Sequence, residues 1–237
     1  FGDFDKAAAV AALEKSFGAL LPRVPMPVAA AARDVRFPAP TAVPIRLTHR
    51  GARDQAAAVM AWPTGGGIAG IREGRQLETL AAIFRDRLFE KFRAEQAASY
   101  SPDMAANWPV NFNSGGYLMA YTQVKPTDVD RFFAFADSVA ADLIAHPVSA
   151  DELQRAVEPT KQAIERAASG NTFWLNQLKG STYHPERFAA LGSLYSDYNG
   201  VTPEILQALA KRYFVKDKAW KLVVEPQPAN ADAATSR

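Results

Sequence analysis

Leu77, Leu80, Ala81, Phe84, Leu88 and Phe92 recur at helical spacing, and the pattern stops at Ser99-Tyr100-Ser101-Pro102. One apolar stripe of period 3.6 demands an amphipathic helix with a covered face. Pro102 biases Ser101 towards extended geometry, so the helix must give way to a strand there. Arg87, Glu90, Lys91 and Glu95 fall on its flanks and are expected to face water. Arg93 lies in the last helical turns and Tyr100 just beyond them. A guanidinium and a phenol at such a junction can both reach one ligand carbonyl or a developing oxyanion. The spacing alone equally describes an Arg on a solvated helix end and a Tyr half-buried in a strand.

The segments around this helix give it a setting. I-R-L-T-H-R from Ile45 alternates as an edge or half-buried strand does, and Q-A-A-A-V-M-A-W-P continues or doubles it. The run T-G-G-G-I-A-G from Thr64 leads towards a helix near Glu73. It lacks the Lys-Ser/Thr pair and the spacing of a phosphate-binding loop, and reads as a mobile loop. Ser99 to Trp108 and Gly116 to Val124 read as two strands joined by a turn. Thr127 is the expected N-cap of a helix carrying Phe132, Phe133, Phe135, Ala136, Val139, Leu143 and Ile144. Ser149 and Glu152 spell a capping box for the next helix, which Pro159 should kink. Phe173, Trp174 and Leu178 are expected to dock a further helix on the core. Thr202-Pro203-Glu204 starts a last helix, and W-K-L-V-V-E from Trp220 is a closing strand. This order predicts an α+β fold, a two-layer domain with a mainly antiparallel sheet and helices packed on one face.

The ends differ in character. Phe1 to Pro22 holds one short helix with an N-cap at Asp3 or Asp5 and a narrow stripe of Val10, Leu13 and Phe17 that needs a partner surface. Residues 23–44 are proline-rich and read as a semi-rigid linker. The main domain is expected over residues 45–225, and residues 226–237 as a frayed tail.

Composition narrows the chemistry. The 237-residue chain has no cysteine, which removes a disulfide framework, a thiolate zinc site and a cysteine nucleophile. Its net charge is +2, with basic residues interspersed among acids, which argues against a nucleic-acid groove. No apolar run reaches membrane-spanning length.

The stretch L-F-E-K-F-R-A-E-Q-A-A-S-Y resembles the helix-to-strand junction of the non-catalytic C-terminal domains of pitrilysin/insulinase-type zinc metallopeptidases, the inverzincins. That family carries a Tyr seven positions after an Arg, as Arg93 and Tyr100 stand here. Phe92, Ala97 and Ala98 replace the usual Leu and Gly. An Asn-x-x-Trp-like run at Asn171 and a V-T-x-E-x-L-Q-like start at Val201 extend the resemblance over residues 44 to 225. The segment before Pro22 resembles the close of a preceding homologous domain.

The resemblance implies a chain that is not an enzyme on its own. Catalysis in this superfamily needs H-x-x-E-H, and His49, His146 and His184 stand outside any such motif. It implies no cofactor bound by this chain, with zinc held in the catalytic half of the parent enzyme. The implied partners are that half, on the same polypeptide or as a subunit, and a peptide substrate, in the bacterial periplasm. Arg93 would hold a substrate carbonyl, and Tyr100 would donate a hydrogen bond to substrate or oxyanion. A purely structural module of a degenerate homologue and a stand-alone peptide-binding domain are the alternatives.

Overall fold

Five strands alternate small or apolar residues with more exposed ones and build one sheet. They are β1 (Ile45–His49), β2 (Ala56–Thr64), β3 (Asp103–Asn107), β4 (Gly116–Val124) and β5 (Trp220–Pro226), in spatial order β1-β5-β2-β4-β3. The computed structural model describes residues 2–24, 35–94 and 102–228. Neighbours β5-β2, β2-β4 and β4-β3 run antiparallel, and β1 pairs parallel with β5. The one parallel pair arises because the closing strand inserts between β1 and β2.

Eight helices accompany the sheet among the described residues: α1 (Lys6–Ser16), α2 (Ile71–Ala94), α3 (Val129–Ala145), α4 (Ala150–Ala168), α5 (Asn171–Leu178), α6 (Glu186–Gly192), α7 (Leu194–Asn199) and α8 (Pro203–Tyr213). α2 packs on β3, and α3 and α8 on β2. The stripe of Leu77, Leu80, Ala81, Phe84, Leu88 and Phe92 is buried throughout. It meets Ala58, Met60, Trp62, Leu118 and Ala120 in one core with Phe132, Val139, Leu206 and Val223. Trp62 anchors this core edge-on against Phe84 at 5.9 Å and Phe214 at 4.9 Å.

The other face of the sheet has a different character. Strand register puts Ile45 beside Leu222, Leu222 opposite Val59, and Val59 opposite Tyr121. Ile45, Leu47 and Tyr121 are 43%, 52% and 37% exposed, so this apolar face lies open to solvent. The fold is thus the expected two-layer α+β arrangement, with α2, α3 and α8 packed on one face of the sheet.

Several local expectations change in the tertiary setting. The glycine loop is pinned rather than loose: Trp108 donates its indole N–H to the Gly67 carbonyl at 2.8 Å, and Gly67 N–H donates to the Pro109 carbonyl at 2.8 Å. Gly67 has φ +87°, where a side chain would be strained. A Cβ on Gly65 or Gly74 would meet the Trp108 ring at 2.8 or 2.6 Å, so these glycines seat an indole. A 3-10 turn at Pro126–Asp128, not a cap at Thr127, leads into α3. α4 starts as expected on the complete Ser149–Glu152 capping box and extends from Ala150 to Ala168 with Pro159 inside it.

Two further expectations fail for identifiable reasons. Arg87 is not a solvated flank residue. It bonds Asp142 of α3 at 2.6 Å and Glu152 of α4 at 2.8 Å, tying three helices together. α5 has no buried residue, and Trp174 is 45% exposed, its indole N–H donating to the Ala168 carbonyl at 2.7 Å. That bond closes the end of α4 instead of filling the core. The segment over residues 35–44 is tied to the domain. Thr41 N–H donates to the Ala219 carbonyl at 3.0 Å, and the Thr41 hydroxyl accepts from Lys221 N–H at 2.7 Å.

Candidate functional site

The helical pattern that ends at the Ser-Pro junction carries Arg93 into the last turn of α2. Phe92 beside it is 1% exposed and packs edge-on to Phe135 at 5.0 Å, which fixes the end of the helix on the core. Arg93 projects from that fixed end with its side chain 71% exposed. Its ion pair is with Glu90, one turn back, at 3.9 Å. Such a contact is worth little in water. Tyr100 lies outside the described residues.

β3, the strand that follows, opens on Asp103, whose carboxylate accepts from its neighbour Met104 N–H at 2.8 Å and from the Tyr121 hydroxyl at 2.7 Å. The hydrogen bond to Asp103 raises the Tyr121 phenol above its ordinary range. Tyr121 stands on the open face of the sheet, opposite Asp103 in register. Sequence reasoning passed over this pair, because only the β3–β4 register brings residues 103 and 121 together.

The histidines do not make a zinc site. His49 Nε2 lies 2.8 Å from the Gln55 carbonyl, His146 Nδ1 3.0 Å from Asp142, and His184 Nδ1 3.1 Å from Glu186. Each is engaged by its own local segment, on the end of β1, the end of α3 and the turn before α6. Among the described residues no group of three or more His, Asp or Glu side chains is placed to hold a metal. These residues do not fit zinc.

The strongest electrostatics lie elsewhere, on the helix side. Asp197 of α7 is 2% exposed and accepts from Arg75 at 2.6 Å, Arg72 at 2.9 Å and the Ser193 hydroxyl at 3.0 Å. Burial pushes its carboxyl up, but the bonds from Arg75, Arg72 and Ser193 outweigh this and hold it below the usual carboxylate range. Next along α2, Glu78 accepts from the Tyr198 hydroxyl, and Glu73 from the Tyr213 hydroxyl and from Arg212 at 2.9 Å. Burial first, then the bond to Glu73, pushes the Tyr213 phenol up to about 12. These groups clamp α2 to α7 and α8. They are satisfied structural partners rather than reacting groups.

Comparison with known proteins places the arrangement. The family model of the peptidase M16 inactive domain matches residues 1–159. A search of curated proteins found no match. Among solved structures, the peptidase M16 inactive domain from Pseudomonas fluorescens superposes with TM-score 0.72 at 17% identity, covering 96% of this chain and 53% of that one. A conserved protein from Enterococcus faecalis V583 gives 0.70 at 16% identity, covering 95% and 51%. The periplasmic protease PqqL from Escherichia coli gives 0.69 at 15% identity, covering 95% and 25%. At such identities the likeness is one of fold. The chain spans about half the length, or less, of these structures.

Proposed function

The chain belongs to the peptidase M16 inactive-domain family, and from that premise we propose that it is the non-catalytic C-terminal part of a zinc-dependent metalloendopeptidase. It would complete the substrate chamber opposite a catalytic, zinc-binding half. Arg93 and Tyr100 would supply contacts to peptide bound at that zinc: Arg93 to a substrate carbonyl, Tyr100 by donating to substrate or to the tetrahedral oxyanion. The zinc, when bound by the catalytic half, would activate the attacking water.

The observation that carries this reading is Arg93 itself. It stands on a helix end fixed by buried Phe92, is 71% exposed, and among the described residues makes a weak contact to Glu90. The open sheet face supports a chamber wall, since it offers extended peptide a broad, largely apolar surface, with the Tyr121–Asp103 pair at its β3 edge. The domain limits follow the same reading: residues 1–22 close a preceding homologous domain, 23–44 link, 45–225 form the inactive domain and 226–237 trail from it. Periplasmic location is proposed by analogy with PqqL, whose structure is that of a periplasmic protease. Among the described residues no helix is long and apolar enough to cross a membrane.

The test is steady-state hydrolysis of a fluorogenic peptide by the complete parent assembly. A transition-state donor of this kind is worth about 2–4 kcal/mol, so Tyr100→Phe should lower kcat by about 30- to 1,000-fold with folding intact. Arg93→Ala should act mainly on kcat/KM. Unchanged turnover in both variants removes the role of these residues. A second reading, an assembly module of a degenerate homologue, draws on α5 and α6, where Trp174, Leu175 and Phe188 are 45%, 51% and 54% exposed. It predicts a parent that binds no zinc and cleaves nothing.

A further inference from the structure

We propose that residues 35–44 form a strut, latched at two points across one end of the sheet, that fixes how the upstream chain enters this domain and ties that entry to helix α2. β4 and β5 flank β2, and both run antiparallel to it. Their first residues therefore stand at the same end of the sheet, where β2 finishes at Thr64. The strut passes from the start of β4 to the start of β5, two strand spacings or about 10 Å away. Pro38, Pro40 and Pro44 punctuate it. Each holds its own φ at about −65° and lacks an N–H, so the stretch is stiff and needs no ladder partner at those positions.

Two latches hold it. At the first, the Ser114 hydroxyl donates to the Val35 carbonyl at 2.9 Å. Gly115 beside it has φ +86°, and a Cβ there would collide with the Val35 side chain. The valine sits against bare backbone, in a conformation that glycine adopts without strain. At the second, Thr41 grips the start of β5 in both directions. Its N–H donates to the Ala219 carbonyl at 3.0 Å, and its hydroxyl accepts from Lys221 N–H at 2.7 Å. β1 follows at once, with Ile45 in register with Leu222. Val35 is 38% exposed and most of the strut faces solvent, so these bonds rather than burial set its path.

The first latch shares its loop with the entry to α2. The Trp108 indole donates to the Gly67 carbonyl, and Gly67 N–H donates to the Pro109 carbonyl, each at 2.8 Å. Asn111 of the same loop accepts from Arg187 of α6 at 2.5 Å. One loop thus joins the strut, the glycine run before α2, and α6. A displacement of the upstream chain pulls on Ser114 and Gly115 and reaches Gly67 through that loop. Such a path is physical only if its members respond together, which exchange at Gly67 reads directly. The strut acts in this way whatever the role of Arg93.

The chain has no cysteine, so Ala39→Cys on the strut and Gln154→Cys on α4 can carry a nitroxide pair for pulsed EPR. A single narrow distance distribution is expected. Thr41→Val combined with Ser114→Ala should widen it roughly twofold or more, whereas Thr41→Ser keeps the hydroxyl and should leave it narrow. Amide hydrogen exchange reads each latch separately. Thr41→Val should speed exchange of the Lys221 amide about tenfold, and Thr41→Ser should not. Ser114→Ala should speed exchange of the Gly67 amide several-fold while the β4 amides keep their protection. A broad distribution in the chain carrying only the two labels would overturn the strut. A Gly67 amide indifferent to Ser114→Ala would overturn its tie to α2.

Discussion

Trp108 reaches back across 41 residues to donate its indole N–H to the Gly67 carbonyl at 2.8 Å. Its ring then lies over Gly65, Gly70 and Gly74, where any Cβ would collide with it. The residue after β3 thereby locks the entry to α2, the helix whose other end carries Arg93. The two ends of the candidate site's scaffold are set by separate devices, an indole seated on glycines at one end and the Phe92–Phe135 pair at the other.

Gly74→Ala tests the indole seat. Alanine improves helix propensity by about 1 kcal/mol, but its Cβ would stand 2.6 Å from Trp108 Cγ. Overpacking of this kind costs about 1–3 kcal/mol, so net destabilisation is expected in urea unfolding. Combined with Trp108→Ala, the same substitution should become neutral or stabilising.

Asp197→Ala tests the buried ion cluster. Removing the carboxylate leaves Arg75, 7% exposed, without its closest charge partner. Breaking one partner of a buried pair costs about 3–5 kcal/mol. Chemical denaturation should register a loss of that order, and a loss below 1 kcal/mol would contradict the clamp between α2 and α7.

Glu152 predicts an acid-sensitive helix junction. The Arg87 hydrogen bond, opposed by burial and aided by the Ser149 contacts, lowers its carboxyl to about 2. A depressed folded-state pKa gives stability that is fully present above the unfolded value near 4.5 and lost as pH falls towards 2. The side chain is partly solvated, so the contribution is on the order of 1–2 kcal/mol. Glu152→Gln should flatten the stability profile between those limits and leave the slope above pH 5 unchanged.

Trp174 and Phe84 make a contrasting pair. Phe84→Ala empties a fully buried site against Trp62 and Phe214 and should cost about 3–5 kcal/mol. Trp174 is 45% exposed, so Trp174→Ala should cost about 1 kcal/mol, chiefly through its bond to the Ala168 carbonyl. Comparable losses for both would place Trp174 in the core after all.

The sequence by itself determined the elements whose signals are local. The α2 stripe, the Ser149–Glu152 capping box and the Thr202-Pro203 helix start need only neighbours within a turn or two, and each forms where those residues stand. The family was legible for a related reason, because the resemblance rests on a short linear pattern between Leu88 and Tyr100. Tertiary structure decided whatever depends on distant partners. The parallel pairing of β5 with β1, the Tyr121–Asp103 pair, the Arg87 clasp and the seat of Trp108 each join residues 18 to 177 positions apart. Hydrophobic periodicity says which face of α5 is apolar but not whether a surface is there to cover it. Trp174, expected in the core, therefore stands half in solvent: burial is a property of what packs opposite a residue, and that is set by the rest of the chain.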